Sequence, residues 1–445
     1  MIFKTVSFLE LLDNIVDNRG KTCPVTDDGI ALIATNCIKN DSLTPVFEKI
    51  RYVTKNTYEN WFRAHPLPDD IIFVCKGSPG RVAWTPDPVN FCIAQDMVAI
   101  RAKQEIIYPK FLFALLRSKK VQEQIENMHV GTLIPHFKKG DFSKLFLKIP
   151  VNYEYQKFVG DLYYMLSKEI ELNKKINQTL EAIAQAMFKS WFVDFDPVHA
   201  KADAQSEYEY DAIAKELGIS REILDLFPSE FEESELGLIP KGWEVKKLAE
   251  LTSEIRRGIS PKYIEEGGIL VVNQKCIRDH IVNFSLCRKN DHFLRKVDGR
   301  LLEIGDILVN STGVGTLGRV AEVRYLNEPT VVDSHVTIIR SDNSKYLTFV
   351  FAQLILAKES QIETMGEGST GQIELNRKKL LALEAVVPPM TLQHFANNIF
   401  LNISKRIGNN LQTSLNLQKL CDTLLPKLIS GELDISNINL EPEND

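Results

Sequence analysis

At 445 residues the chain is too long for one ordinary domain, so two or three folded units are expected. Its hydrophobic content of 44% and charged content of 25% are typical of a folded soluble protein and exclude a disordered chain. The N-terminus has no basic segment followed by an apolar block, and the most apolar run, Phe349–Ala357, is too short to span a bilayer. The expected location is therefore the cytoplasm, with no membrane partner.

Charge is unevenly distributed along the chain, whose net charge is −6. Residues 1–150 carry 20 Lys and Arg against 16 Asp and Glu, and residues 240–389 carry 21 against 19. The segment 191–239 carries only 3 basic residues against 13 acidic ones. Two mildly basic bodies thus flank an acidic connector, and the small basic surplus is by itself only a hint of DNA binding.

The first predicted body spans residues 1–150. Ile71–Val74 and Val82–Trp84 are apolar runs separated by a glycine-containing turn, which predicts a β-hairpin. Pro109–Arg117 is predicted to be a helix. The seven cysteines of the chain form no CxxC pair and no cluster with histidine, so they are predicted to be reduced core residues.

Residues 151–190 predict a long helix, because they contain no proline and a single glycine, Gly160. Their apolar side chains form one narrow stripe, which is typical of a coiled-coil seam and requires a partner helix. Asn173 occupies a seam position in a gap of the stripe. The stripe consists of Val159, Leu162, Leu166, Ile176, Leu180, Ile183 and Met187.

After the connector at 191–239, residues 240–389 repeat the first body. The matches hold a near-constant offset over about 170 residues, which chance does not explain. Ile307–Val309 and Val320–Val323 repeat the hairpin, and Tyr346–Lys358 is a further predicted helix. The clearest matches, each 238 residues apart, join Gly77, Gly80, Arg81, Val82 and Ala83 to Gly315, Gly318, Arg319, Val320 and Ala321.

Residues 390–430 repeat the long helix, with a stripe from Leu392 to Leu425 and Pro426 as the expected end. Asn410 falls 237 residues after Asn173, at the same seam position. The two asparagines either fix the register of the helix pair or both face water. Gly408 is predicted to be a weak point, and residues 431–445 form a tail. The predicted fold class is α+β, with two pseudo-twofold-related globular bodies joined by a long antiparallel helical coiled coil.

Candidate DNA contacts lie in the loops of the two bodies. Arg81 and Arg319 follow the tips of matching loops, where an arginine either reaches a phosphate or guanine edge or caps its own loop. A second loop before each long helix carries small, hydroxyl or basic residues suited to phosphate contact. The candidates are Arg19, Lys21, Lys76, Arg81, Thr132, His136 and Lys138 in the first body, and Arg256, Arg257, Lys262, Arg319, Ser369, Thr370 and Gln372 in the second.

Motifs for catalysis are missing from the sequence. Gly313–Gly318 matches GxGxxG, but the strand-like segment that follows predicts a strand-turn-strand rather than a dinucleotide site. We find no phosphate-binding loop, no metal-ligand spacing and no motif for holding an extruded amine. Asp194 and Asp196 are more typical of a helix end than of a nuclease. No catalytic residue and no metal ligand are therefore predicted.

Four sequence motifs, in the order in which they occur here, resemble those of the specificity (S) subunits of type I restriction-modification systems. They are MFKSWFVDFDPV at 187–198, LFPSEF at 226–231, SELGLIPKGW at 234–243 and LLPKLISGELDI at 424–435. The resemblance covers essentially the whole chain, with one departure. The first body begins MIFKTVSFLELL and lacks the tryptophan that opens the second body, so its N-terminal edge is expected to differ.

The resemblance implies a protein that does no chemistry itself. Each body would be a target recognition domain reading half of a bipartite site in double-stranded DNA, and the paired helices would set the spacer. Two methyltransferase subunits, which bind S-adenosylmethionine, and ATP- and Mg-dependent restriction subunits would complete the complex, so no cofactor is expected in this chain. The alternatives are a stand-alone DNA adenine methyltransferase and a structural coiled-coil adaptor without DNA binding.

Overall fold

The computed structural model describes residues 1–18, 21–128, 135–368 and 373–433. It divides into two compact units. Unit 1 comprises Met1–Lys174 with Thr413–Asp445, and unit 2 comprises Lys175–Gln412. Each unit contains one body together with part of each long helix, so the long helices are shared between the units.

The first body is mixed in secondary structure, as predicted. Its helices are α1 (Lys55–Asn60), α2 (Pro109–Arg117) and α3 (Lys119–Asn127). Its strands are β1 (Phe3–Ser7), β2 (Leu12–Asp17), β3 (Ile30–Ile33), β4 (Arg51–Val53), β5 (Ile71–Val74), β6 (Val82–Trp84), β7 (Phe91–Ile93), β8 (Met97–Ala102) and β9 (Phe146–Pro150).

The long helix α4 (Tyr153–Phe192) leads into a connector that is folded rather than extended. The connector contains α5 (Asp196–Asp203), α6 (Tyr210–Glu216), α7 (Arg221–Asp225), β10 (Phe231–Ser234) and β11 (Gly237–Pro240). Asp194 follows the end of α4 and Asp196 begins α5, which confirms that this acidic pair lies at a helix end.

The second body again mixes strands and helices before the second long helix. Its helices are α8 (Leu248–Leu251), α9 (Thr348–Ala357), α10 (Glu359–Glu363) and α11 (Arg377–Leu381), followed by α12 (Met390–Ser430). Its strands are β12 (Glu244–Lys247), β13 (Thr252–Arg257), β14 (Tyr263–Ile264), β15 (Ile269–Val272), β16 (Ile277–Arg278), β17 (Ile281–Val282), β18 (Arg288–Asn290), β19 (Ile307–Asn310), β20 (Val320–Glu322), β21 (Thr330–Val332), β22 (Val336–Ser341), β23 (Gly366–Glu367), β24 (Glu374–Leu375) and β25 (Glu384–Val387).

The main sheet has the same strand order in both bodies, which confirms the repeat. This sheet has the strand order β2–β8–β5–β6 in the first body and β13–β22–β19–β20 in the second. Both predicted hairpins, β5 with β6 and β19 with β20, are antiparallel pairs. The match includes an irregularity in register near the start of β2 and of β13. The GxGxxG segment connects β19 to β20, which confirms the strand-turn-strand prediction.

Alternate residues of the central strands serve two different cores, because successive side chains of a strand point to opposite faces. Ile71 and Phe73 pack in the core that includes α2, whereas Ile72 packs with the β3 and β7 side of the body. In the second body Ile307 and Leu308 divide between two cores in the same way. These strands therefore read as continuous apolar runs rather than as an alternating pattern.

A buried ion pair recurs at the same place in each sheet. Arg101 on β8 donates from Nε and Nη2 to the two carboxylate oxygens of Asp70, both at 2.9 Å. Arg340 on β22 does the same to Asp306 at 2.6 and 2.7 Å. Both aspartates are 1% exposed. Such a bidentate pair needs both partners in place, so it fixes the start of each hairpin, at β5 or β19, against the neighbouring strand β8 or β22.

A buried glutamine attaches the start of each long helix to its own body. Gln156 accepts a hydrogen bond from Tyr108 N at 2.8 Å and donates to Pro150 O at 2.9 Å. Gln393 accepts from Leu347 N at 2.9 Å and donates to Pro388 O at 2.8 Å. Each glutamine thus hydrogen-bonds to backbone groups that precede two helices, α2 and α4 in the first body and α9 and α12 in the second. These bonds orient each long helix against the body helix beside it.

The long helices pack antiparallel within each unit. In unit 1 the Tyr155 hydroxyl donates to Leu428 O at 2.8 Å, which places the start of α4 beside the end of α12. In unit 2 the Phe188 and Phe400 rings lie 6.4 Å apart, which places the end of α4 beside the start of α12. The prediction of an antiparallel pair is confirmed.

Two details of the predicted helices are wrong. Ile183 is 45% exposed, whereas Ala184 and Phe188 are buried, so the second half of the α4 stripe lies one residue further along. The strict spacing assumed for a seam drifts relative to a straight helix with 3.6 residues per turn. Pro426 does not end α12, which continues to Ser430. The buried side chains of Leu425 and Leu428 hold this turn against the first body, which outweighs the hydrogen bond that proline lacks.

Asn410 is buried at the helix pair, but its hydrogen-bond partner is a residue that the stripe missed. The Asn410 amide donates to Asn177 Oδ1 at 2.8 Å. Asn173, one turn earlier on α4, is also buried, and its amide nitrogen has no hydrogen-bond partner among the described residues. The register contact in unit 2 is thus the Asn177–Asn410 pair.

The connector, which is part of unit 2, packs against the end of α4 and the start of the second body through an aromatic cluster. The Trp191 and Phe227 rings lie 5.7 Å apart, and the Phe192 and Trp243 rings 6.0 Å apart. Lys201 is buried among them and donates to Leu224 O at 3.2 Å, and this burial lowers its pKa. Three of the four motifs that carry the family resemblance therefore form a single structural cluster.

Glycines in the long helices mark close approaches of the backbone. A Cβ on Gly160 would lie 2.5 Å from Phe111 N, so only glycine lets α4 approach the start of α2. A Cβ on Gly408 would lie 2.8 Å from Arg324 O. The prediction that Gly408 is a weak point is wrong, because its missing side chain allows α12 to pack closely on the second body.

All seven cysteines are free thiols and at least partly buried, as predicted. Among the described residues, no helix is both long enough and apolar enough to cross a membrane.

Gly160→Ala is expected to lower the free energy of unfolding by about 1–3 kcal/mol, because overpacking at α2 exceeds the gain of about 1 kcal/mol in helix propensity. Thermal unfolding followed by calorimetry measures the change. Lys168→Ala, at an exposed position of the same helix, is the control and is expected to stay within about 0.5 kcal/mol of the wild type. A higher melting temperature for Gly160→Ala would contradict the close approach.

Candidate nucleic-acid interface

In the first body, several loops meet where β2 and β5 end and β6 and β8 begin. The Cys75 amide donates to Asp96 O at 2.9 Å, and the Phe137 amide donates to Cys75 O at 2.8 Å. Lys76 and His136 pair as an isolated antiparallel bridge. We call this region, comprising Lys21 and residues 75–81, 94–96 and 135–138, loop end 1.

The second body repeats the same backbone contacts. The Ser311 amide donates to His335 O and the Leu375 amide to Ser311 O, each at 2.8 Å. Thr312 and Glu374 form the equivalent isolated bridge. We call this region, comprising residues 257–259, 311–319, 333–335 and 373–374 together with Gln274, loop end 2. The two loop ends therefore share one backbone framework.

The shared glycine of the phrase GxxGR is required by this framework. Gly80 and Gly318 have φ values of 91° and 84°, which side chains other than glycine rarely adopt. A Cβ on Gly318 would also lie 2.4 Å from the Cα atom of Glu363. The residue that follows each glycine, Arg81 or Arg319, then pairs its carbonyl with the end of the preceding strand at 2.9 Å.

The side chains on the two frameworks differ. Loop end 1 presents exposed Lys76 and His136, beside Asp96. Loop end 2 presents a polar cluster, in which Thr312 Oγ1 lies 3.2 Å from Gln274 Oε1 and 2.9 Å from His335 Nδ1. One end therefore offers mainly cationic groups, and the other offers hydroxyl, amide and imidazole groups that can exchange hydrogen bonds with base edges.

Seven of the predicted site residues lie at the loop ends. Lys21, Lys76, His136 and Lys138 are exposed, and Arg81, Arg257 and Arg319 are half-buried. Lys262 is exposed but lies away from loop end 2, because its amide donates to Asn290 Oδ1 at 2.8 Å, level with the start of β15. The guanidinium of Arg319 donates to Gly315 O at 2.8 Å, so it caps its own loop.

The two neighbouring arginines of β13 are held by carboxylates. Arg257 lies at loop end 2 and pairs with Glu374 at 3.3 Å. Arg256 is not aimed at the loop end, because it pairs with Glu254 and donates to Gly299 O at 3.1 Å. Arg19, Thr132, Ser369, Thr370 and Gln372 lie outside the described residues.

Burial changes the ionisation of two groups beside the loop ends. Burial, together with the charges of Asp17 and Asp96, raises the pKa of the Cys75 thiol to about 12, so it is not a nucleophile at neutral pH. Burial also raises the pKa of Asp333, although its carboxylate accepts a hydrogen bond from His335 N at 2.9 Å.

Sequence reasoning missed five residues of these regions, namely Asp96, Gln274, Thr312, His335 and Glu374. The repeat contained the signal, because Asp96 and His335 each immediately precede the aligned strands β8 and β22. Residues that match between the two copies indicate the shared backbone framework, whereas positions that differ between the copies carry the side chains that distinguish the two loop ends. Across the described ranges, no group of three His, Cys, Asp or Glu residues is placed to hold a metal ion.

Comparison with known proteins matches two segments of the chain, 27–182 and 240–417, to the type I restriction modification DNA specificity domain family. A type I restriction enzyme HindI specificity subunit from Haemophilus influenzae is 28% identical over 77% of this chain and 82% of its own length. A type I restriction enzyme MjaIX specificity subunit from Methanocaldococcus jannaschii is 26% identical over 84% of this chain and 79% of its own length.

A solved structure shares the fold. The S subunit of a type I restriction-modification system from M. genitalium superposes with a TM-score of 0.57 at 15% identity, over 96% of each chain. The family matches cover both repeated bodies and most of the long helices, in agreement with the topology described above. The chain therefore belongs to the family of type I restriction-modification specificity subunits, with two recognition domains.

Proposed function

We propose that loop end 1 and loop end 2 each read one half of a bipartite site in double-stranded DNA. The observation that carries this proposal is the pair of equivalent backbone frameworks bearing different side chains. Lys76 and His136 in one body correspond to Thr312 and Glu374 in the other. A common framework positions both ends alike, and unlike side chains select different bases. Family membership supports this function over a stand-alone methyltransferase or a structural adaptor.

The predicted contacts then divide by chemistry. Lys21, Lys76 and Lys138 are exposed cations of loop end 1 that contact phosphates and supply salt-dependent affinity. Gln274, Thr312 and His335 supply hydrogen-bonding groups for base edges in the second half-site. Arg319 supports the loop rather than the DNA, because its guanidinium caps Gly315.

The helix pair sets the distance between the half-sites in this proposal. Helix α4 contains 40 residues and α12 contains 41, so each is about 60 Å long at 1.5 Å per residue. Two weakly binding recognition domains on a stiff spacer increase each other's affinity only when the distance between the half-sites in the DNA matches the distance between the domains.

The subunit itself contributes recognition and assembly rather than catalysis. Two methyltransferase subunits bind S-adenosylmethionine and flip the target adenine out of the DNA, and restriction subunits carry out ATP- and Mg-dependent cleavage, in the cytoplasm. Exposed apolar side chains on α4 support docking of such partners on the helix. They are Met165, Leu172 and Ile183, at 63%, 48% and 45% exposure.

Lys76→Ala is expected to weaken DNA binding by the assembled methyltransferase complex at low salt and to reduce the slope of log K against log salt by about 0.9, the value for one phosphate contact. Fluorescence anisotropy at several salt concentrations measures the slope. Lys55→Ala is the control, because this exposed lysine lies beside the start of β3, away from loop end 1. Equal slopes for Lys76→Ala and the wild type would remove Lys76 from the interface.

Paired insertions test the spacer. Seven residues inserted between Lys174 and Lys175, and seven between Gln412 and Thr413, fall where the compact units divide both helices. Each insertion adds two turns and about 10 Å, equivalent to about three base pairs at 3.4 Å each. The preferred spacer, measured by methylation of a library of spacer lengths, is expected to lengthen by about three base pairs. An active complex that keeps the original spacer preference would contradict the proposal that the helix pair sets the spacer length.

A further inference from the structure

Within unit 2, a network of largely buried polar and charged side chains joins the second body to both long helices. It includes groups from five separate chain segments, and all of them lie in Lys175–Gln412. The members are Glu181 and Gln185 on α4, His280 in the turn between β16 and β17, Glu322 and Arg324 at the end of β20, Glu359 on α10, and Ser404 on α12.

His280 lies at the centre of the network, between two carboxylates. Its Nδ1 atom is 3.2 Å from Glu181 Oε1, and its Nε2 atom is 2.9 Å from Glu359 Oε2. Gln185 Nε2 lies 2.9 Å from Nδ1, and Arg324 donates to the backbone carbonyl of His280 at 3.4 Å. A protonated imidazole can donate from both ring nitrogens, so the two carboxylates are best satisfied by the cationic form, with the Gln185 amide turned to place its oxygen toward Nδ1.

The network holds both ends of β20, the strand that follows the 311–319 loop. At its start, Val320 N donates to Glu359 Oε1 at 2.8 Å. At its end, Glu322 accepts from Arg324 Nε at 3.1 Å and from the Ser404 hydroxyl. Arg324 also donates to Glu181. The position of loop end 2 is thereby coupled to α4 and α12 through direct hydrogen bonds.

The backbone of the turn shows that this arrangement is imposed by its surroundings. Asp279 and His280 have φ values of 51° and 58°, which place both in the left-handed region. A two-residue hairpin turn of this type normally carries glycine at the second position. A histidine persists there because contacts from neighbouring elements determine its conformation, which is typical of positions under functional constraint.

Unit 1 holds the corresponding part of its body differently. Glu171 on α4 accepts hydrogen bonds from Leu43 N and Thr44 N, each at 3.0 Å, and from the Thr44 hydroxyl at 2.8 Å. The groups that these bonds join to the carboxylate are backbone amides and a hydroxyl, which do not titrate near neutral pH.

We propose that His280, Glu181 and Glu359 form a positioning device that sets loop end 2 on the helix pair and so determines how strictly the subunit discriminates between spacer lengths. The proposal rests on the proposed reading of a bipartite site. The three residues are positioning residues, because they act through β20 and the 311–319 loop rather than by touching DNA.

The charge of His280 gives the device a pH dependence. Burial alone would lower the pKa of His280, but hydrogen bonds and charges from Glu181 and Glu359 outweigh burial and raise it to about 9. The same contacts, with those of Arg324, hold the pKa of Glu181 below its ordinary value despite burial. Because the histidine pKa is raised on folding, its stabilisation is complete below about pH 6.5 and is lost as the pH rises through about 9.

The test uses the subunit assembled with its methyltransferase partner and DNA carrying the mapped target. Initial methylation rates are compared on the native spacer, on a spacer one base pair longer, and on DNA with one changed half-site base. Wild type, Glu181→Gln, Glu359→Gln and the exposed control Glu169→Gln are measured between pH 7 and 9.5, and circular dichroism confirms their folding.

Glu181→Gln and Glu359→Gln are expected to reduce spacer discrimination at pH 7 at least tenfold, with base discrimination unchanged within about threefold. The wild type is expected to lose spacer discrimination as the pH passes about 9, and the two variants are expected to show no such pH dependence. Glu169→Gln should follow the wild type.

Two outcomes separate this inference from the proposed function. If the wild-type complex shows no preference between spacers at pH 7, the bipartite function itself fails. If the wild type discriminates between spacers and folded Glu181→Gln and Glu359→Gln do so equally well, the proposed positioning role is wrong. The proposed reading of a bipartite site is then unaffected. Should neither variant fold, a wild-type spacer preference that stays constant to pH 9.5 would overturn the proposal on its own.

Discussion

The rest of the structure depends on the pairing of α4 with α12. A helix of 40 residues with one narrow apolar stripe exposes too much hydrophobic surface to be stable alone. Each unit solves this by combining part of α4 with the opposite part of α12, so neither long helix belongs to a single unit. The buried Asn177–Asn410 hydrogen bond adds a directional contact to a largely apolar seam, and a one-residue slip would break it.

Each body is then fixed to the helices by contacts that leave its loop end unobstructed. The buried glutamines Gln156 and Gln393 orient the helix starts, and the Asp70–Arg101 and Asp306–Arg340 pairs hold the central strands. The loop framework itself is built from backbone hydrogen bonds, which, apart from the glycines required at Gly80 and Gly318, do not depend on the identity of the side chains. Residues at the loop tips are therefore free to differ between the bodies, as recognition of two different half-sites requires.

The sequence was sufficient to predict the repeat, both hairpins and the antiparallel helices, because each leaves a periodic or repeated pattern. It was misleading for Ile183, where a strict seam spacing drifted out of phase, and for Pro426, where tertiary packing overrides local propensity. Gly408 was predicted to be a weak point of the helix, since its close approach to Arg324 O is a tertiary contact that the sequence does not reveal. The candidate site was predicted only in part: Lys76 and His136 were identified, whereas Gln274 and His335 come together only through the fold.

The proposed function is that this chain directs its complex to two separate half-sites at a fixed distance. Mapping methylated adenines by single-molecule sequencing, in the source genome with and without the gene for this chain, tests that claim most directly. We expect a bipartite methylated motif, with two defined halves and a spacer of constant length and variable sequence, that disappears when the gene is deleted. A single uninterrupted motif, or a methylation pattern unchanged by the deletion, would contradict it.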